Sequence, residues 1–137
     1  VYLLNPHGIL IGKEGVIQVG SFVASTLHLA DQDFLNGDAL LFKGDSLSAI
    51  ENYGRISAAV GDIGLLARAI RNFGDLDAKQ AVIAIGAAEE LLYFPYGDER
   101  IQIQIHLDKK GDETGILQTG TLQSQQAELK ADGNLYS

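Results

Sequence analysis

The groups in this chain that could do acid–base or metal chemistry are its carboxylates and imidazoles, and their spacing suits neither task. His7, His28 and His106 show no helical ligand spacing, and His28 and His106 fall on the polar side of alternating segments, so they read as surface residues. Asp31, Asp33 and Asp38 form an acidic stretch. A Ca²⁺ loop needs ligands at positions one, three and five with a distal Glu, so this stretch reads as a solvated loop. Asp75 and Asp77 are the best pair for glycosidic acid–base work, which needs carboxylates gathered on one face. No Gly-x-Ser-x-Gly, phosphate-binding glycine loop or dinucleotide fingerprint is present. No catalytic residue, metal or cofactor is assigned. A carbohydrate-active enzyme using Asp75 and Asp77 stands as the alternative, with a glycan-binding module that would use Tyr93, Tyr96 and the polar side of "IQIQIHL" as its relative.

The chain has 137 residues, 46% hydrophobic and 20% charged, enough for one domain with a substantial core. Its net charge of −8 and lack of a dense basic run argue against nucleic acid as a partner. It has no cysteine, so neither disulfides nor thiolate metal sites arise. No apolar run reaches the roughly 20 residues that a helical membrane span needs. Sixteen glycines against two prolines suggest short strands joined by tight turns.

Residues 50–67 and 70–87 repeat one pattern. Ile50, Asn52, Gly54, Ala58, Ile63 and Ala67 recur as Ile70, Asn72, Gly74, Ala78, Ile83 and Ala87. Two further copies fit the frame from Leu4 and Ile116. They set Gly8 and Gly120 with the repeat glycines, Leu10 and Leu122 with Ile56, and Ile17 and Leu129 with Ile63 and Ile83. Steps of two place side chains on one face of a strand, so each copy predicts two short strands broken by a bend at a small residue. Such units cannot bury a face alone, but stacked they can, as coils of a parallel β-helix. Stacking puts Ile63 on Ile83 and Tyr53 on Phe73. It also puts Asn52 under Asn72, where an amide ladder competes with a plain turn-forming role.

Two other segments need placing. "LLARAIRNF" and "AKQAVIAIGAAEELL" have helical spacing, but four aligned copies outweigh local propensity. "IQIQIHLD" at 101–108 alternates strictly and predicts a strand, either a coil face or one arm of a hairpin with "EELLYF" turned by "PYGDER". A short helix at 30–36 is a further expectation.

"NPHGI" at 5–9 is a turn entering a strand. Pro6 makes Asn5 extended, Gly8 supplies positive φ, and Ile9 starts the strand. With "VAST" at 23–26, "DFLNGD", "LFKGD" and "IENYGRISA", the order of motifs resembles the secretion domain of filamentous-haemagglutinin-like exoproteins, the passengers of two-partner secretion. That family carries Asn-Pro-Asn-Gly-Ile/Leu, then Val-Ala-Ser-Thr, then N-x-G-x-I-x-A coils. Here the first motif reads Asn5, Pro6, His7, Gly8, Ile9, with His7 in place of the second Asn.

The resemblance implies an all-β chain: a right-handed parallel β-helix, a single-stranded solenoid with small extra-helical strands or a hairpin. It implies a non-enzymatic secretion-targeting and folding-nucleus module of a large adhesin-like exoprotein, secreted or displayed at the cell surface by way of the periplasm and outer membrane. The partner implied is an outer-membrane β-barrel transporter with periplasmic recognition domains, and a host or cell-surface glycan is a further candidate. The family's Asn-Pro-Asn-Leu motif and N-terminal cap are not in the chain, so residues 1–137 are expected to be a central to C-terminal part of the domain.

Overall fold

The computed structural model describes residues 1–29, 39–95, 97–103, 115–132 and 134–136. All regular structure among them is strand, so the helix expected at 30–36 and the part of "IQIQIHLD" from Gln104 onward, including His106, lie outside the described residues.

The chain winds past the same three walls repeatedly. The first wall stacks β2 (Ile9–Ile11), β7 (Ala49–Asn52), β10 (Ala69–Asn72), β14 (Gly115–Gln118) and β16 (Asn134–Tyr136), all parallel. The second stacks β3 (Val16–Val19), β8 (Arg55–Ala58) and the first halves of β11 (Asp75–Ala87) and β15 (Thr121–Ala131). The third stacks β1 (Tyr2–Leu4), β4 (Phe22–Ser25), β9 (Ile63–Ala67) and the second halves of β11 and β15. Inward residues meet their counterparts in adjacent passes. Ile9, Ile50, Ile70 and Ile116 form one column, and Ile17, Ile56, Leu76 and Leu122 another. Together with Phe22, Ile63, Leu65, Ile83 and Ile85 they make the main core. Each fully buried Ile or Leu here contributes about 1.5–3 kcal/mol of transfer free energy.

Three details of the repeat frame are corrected. First, each pass has three strands rather than two, because the segment that opens each copy, Ile-x-Asn in the two middle ones, is itself extended and paired. Second, the opening copy registers from Ile9, not Leu4. Gly15 rather than Gly8 lies against Gly54, and Ile17 pairs with Ile56. This register buries Ile9, Ile11 and Phe22 and leaves Leu10 67% exposed, whereas the expected frame would have turned Leu10 inward. Third, the fourth copy follows the frame from Ile116 to Ser124 and then departs by two residues. Ala127, not Leu129, pairs with Ile83, because the corner between Ser124 and Gln126 is two residues shorter than that between Ala78 and Val82.

Two excursions leave the stack and meet outside it. β5 (His28–Leu29) and β6 (Leu40–Lys43) come from the first; β12 (Glu90–Tyr93) and β13 (Ile101–Ile103) come from the second. They form one antiparallel sheet in the order β13-β12-β6-β5, and β12–β13 is the hairpin arm expected of "EELLYF". This sheet encloses a second core over the outside of the third wall, with Val23, Leu66, Val82 and Ala84 on one side and Leu40, Phe42, Leu91, Tyr93 and Ile101 on the other. β9 and the second half of β11 are therefore buried on both faces. That is why "IGLLA" and "VIAIGA" read as near-continuous apolar runs that also suit a helix.

Candidate functional site

The "NPHGI" turn is built by its own side chains. The Asn5 carboxamide oxygen accepts the His7 N–H at 3.0 Å, and the Asn5 carbonyl accepts the Gly8 N–H at 3.2 Å. An Asx-turn is thus nested inside a β-turn. Gly8 has φ of 113°, open to glycine and strained for other residues. Asn5, Pro6 and His7 are exposed, while Ile9 is buried and starts the first wall. The conformational work falls on Asn5, Pro6 and Gly8. At position 7 only the backbone N–H is engaged, so His in place of Asn leaves the turn intact.

"VAST" packs against this turn. The Asn5 N–H donates to the Ser25 carbonyl at 3.0 Å. The Ser25 hydroxyl donates to the Leu66 carbonyl at 2.7 Å and accepts the Leu27 N–H at 2.9 Å, turning the chain out of the third wall. Thr26 Oγ1 donates to the Ser48 carbonyl at 3.1 Å. Ser46 Oγ donates to the Pro6 carbonyl at 2.5 Å and accepts the Ser48 N–H at 3.1 Å. The exit and re-entry of the first excursion and both motifs therefore share one hydrogen-bonded node.

Inside the first-wall corner, amides stack. Asn52 Nδ2 donates to Asn72 Oδ1 at 2.9 Å, and Asn72 Nδ2 donates to Gln118 Oε1 at 3.0 Å. The lower end is closed by the Gly54 N–H on Asn52 Oδ1, the upper end by Gln118 Nε2 on the Gly120 carbonyl. Gln118 is a member that the repeat pattern does not name. Beside the amides, Gly15, Gly54, Gly74 and Gly120 stack so closely that a Cβ on Gly74 would collide with the Gly54 carbonyl oxygen. Just outside, Tyr53 stacks on Phe73 with ring centroids 5.0 Å apart.

Sequence reasoning missed a polar clasp on the hairpin. Asp62 Oδ2 takes Arg100 Nε at 2.7 Å and the Tyr93 hydroxyl at 3.2 Å, while Asp62 Oδ1 takes the Val82 N–H at 3.1 Å. Arg100 also donates through Nη1 to the Gly97 carbonyl. Glu128 accepts the Arg100 and Ile101 N–H groups at 3.0 and 2.8 Å. Lys130 donates to Glu99 at 2.6 Å and to the Ile101 carbonyl at 2.8 Å. Burial pushes the Tyr93 phenol far above its ordinary value, and the neighbouring Asp62 carboxylate adds to the shift. The hydrogen bond to Asp62 raises Arg100, and that to Glu99 raises Lys130. The sequence carries one trace of it, Asp62 where the next copy has Val82; the place of Glu128 opposite Ala84 follows only from the observed register.

Asp75 and Asp77, the carboxylates named for catalysis, lie two residues apart on one face of β11. Asp75 pairs with Arg55 and Thr121 on the outside of the second wall, and Asp77 faces Lys79 at 3.8 Å. Among the described residues no group of three or more His, Asp or Glu side chains is placed to hold a metal ion. Tyr93, named for glycan contact, is 1% exposed, because its ring fills the space over Gly64 beneath the hairpin. His7 and His28 are exposed; Tyr96, Asp31, Asp33 and Asp38 lie outside the described residues.

The model of the family described as TPS secretion domain matches residues 1–135. The chain belongs to the two-partner secretion domain family. A solved structure, the HMW1 secretion domain from Haemophilus influenzae, is similar in fold with a TM-score of 0.62 and 21% sequence identity. The likeness covers 90% of this chain and 35% of that one, so this chain spans about a third of the length of its structural relative. A search of curated proteins finds no match. In this TPS secretion domain Asn5 and Gly8 build the turn, Ser25 and Thr26 the node, and Asn52 and Asn72 the amide stack.

Proposed function

We propose that this domain is the secretion-targeting and folding-nucleus module of a large adhesin- or haemagglutinin-like exoprotein. Its partner is an outer-membrane β-barrel transporter that reads it through periplasmic domains. The exoprotein reaches the cell surface or the medium, and the module has no enzymatic task. The three-walled stack is read as a right-handed parallel β-helix.

The observation that carries this reading is the node. Two motifs far apart in sequence meet through the Asn5–Ser25, Ser46–Pro6 and Thr26–Ser48 hydrogen bonds, yet Asn5, Pro6 and His7 stay exposed instead of filling the core. Exposed residues with a defined geometry suit recognition better than stability. In transit the extended chain offers strand-forming segments to a receptor sheet edge. Outside, each pass is laid on the one before it, and folding there favours outward movement.

The test is export and folding measured side by side. Asn5→Ala and Pro6→Ala in the full exoprotein are expected to cut the secreted amount several-fold, while the purified domain loses only about 0.5–2 kcal/mol. Equal loss of secretion and stability, or unchanged secretion, overturns the recognition role.

A further inference from the structure

The second half of β15 has two registers that turn the same face inward. In the observed one, Ala127, Leu129 and Ala131 pair with Ile83, Ile85 and Ala87. If the corner after Ser124 were as long as the one after Ala78, Leu129 and Ala131 would face Ile83 and Ile85 instead. That slip of two residues keeps Leu129 and Ala131 on the inward face, because side chains alternate with a period of two, and moves Ala127 into the corner, where Ala81 stands in the pass below. It is also the alignment the repeat pattern itself suggests. The Ser124 hydroxyl donates to the Gln126 carbonyl at 2.9 Å across the short corner, but this bond is exposed and contributes little.

We infer that Glu128 and Lys130 set the register of the last pass by their fit to the hairpin. On the outside of the third wall Val23, Gly64 and Ala84 make one paired column, and Glu128 is its next member. Its carboxylate, 8% exposed, takes the two adjacent N–H groups of Arg100 and Ile101. Two residues on, Lys130 takes the Ile101 carbonyl and Glu99. A slip of two would bring Lys130 opposite Ala84. An ammonium would then replace the carboxylate against two N–H donors and beside the Arg100 guanidinium. Buried donors would be left unpaired and like charges brought together, whereas Leu129 and Ala131 would still face inward. The hairpin thus acts as a gauge: formed earlier in the chain, it accepts β15 in one register only. This holds whether or not a transporter reads the "NPHGI" node.

Exchanging the two residues tests the assignment. With Glu128→Lys and Lys130→Glu together, the slipped register returns a carboxylate to the Arg100 and Ile101 N–H groups. Nuclear Overhauser contacts in the labelled domain read the register directly. The exchanged protein is expected to lose the Ile83–Ala127 cross-strand contacts and gain Ile83–Leu129 contacts. Retention of the Ile83–Ala127 set overturns the inference. If the exchanged protein does not fold, Glu128→Ala with Lys130→Ala serves instead. Both contact sets are then expected, with faster amide exchange at Arg100 and Ile101; the native set alone overturns it.

Discussion

Asn52, Asn72 and Gln118 show how one polar side chain per pass can sit in an apolar column. Each amide needs partners when buried: Asn72 finds them in the amides on either side, Asn52 in Asn72 and the Gly54 N–H, and Gln118 in Asn72 and the Gly120 carbonyl. The adjacent glycines are required for a different reason: the corner brings backbone against backbone, and a methyl group would meet the carbonyl of the pass below. Asn72 is fully buried and bonded on both sides, so Asn72→Ala strips partners from Asn52 and Gln118 together. It is expected to cost about 1–3 kcal/mol in urea unfolding. A cost near zero would mean that the stacked amides contribute only turn geometry. Asn52 and Asn72 were legible from their spacing. Gln118 was not, because one extra methylene hides the same amide in a different residue type.

The hairpin of β12 and β13 shows how an element outside the stack is tied to it. Its apolar face covers the third wall, and its turn is held by Asp62 from the second pass and Glu128 from the fourth. Tyr93 lies between these tethers with its hydroxyl on Asp62. Its phenol is raised above the ordinary value, so the folded state prefers it protonated. Folded and unfolded chains both keep that proton below about pH 10, and there the contribution is complete. Above that the unfolded tyrosine ionises while the folded one resists, so stability falls as pH rises. Melting curves from pH 8 to 11 are expected to show this fall in the native domain and a smaller one in Tyr93→Phe. Equal slopes would remove Tyr93 as the cause. The hairpin itself was readable from the alternation of "IQI" and its partner "ELLY". Its tethers were not, since they join residues from three separate parts of the chain.

Across the whole molecule, every wall is made by pairing strands that lie one repeat or more apart, and the two excursions join into a single sheet. Loops must close before any of these ladders gains its hydrogen bonds, which slows folding. Refolding of the isolated domain by rapid dilution is expected in about milliseconds to seconds or longer. Complete recovery in microseconds would be incompatible with a stack held by such distant pairings. Slow folding also suits a chain that has to remain extended until it has crossed a membrane, as the proposed function requires.

The sequence by itself determined the strands, the repeat, the stacking partners in the middle passes and the family motifs. These depend on side-chain period and on local turn chemistry, which a single segment carries. Tertiary structure alone decided the register of the first and fourth passes, the joining of the excursions and the burial of Tyr93. Those choices hang on corner length and on charges that meet only when distant passes lie side by side, and in the fourth pass a period of two cannot distinguish registers that differ by two.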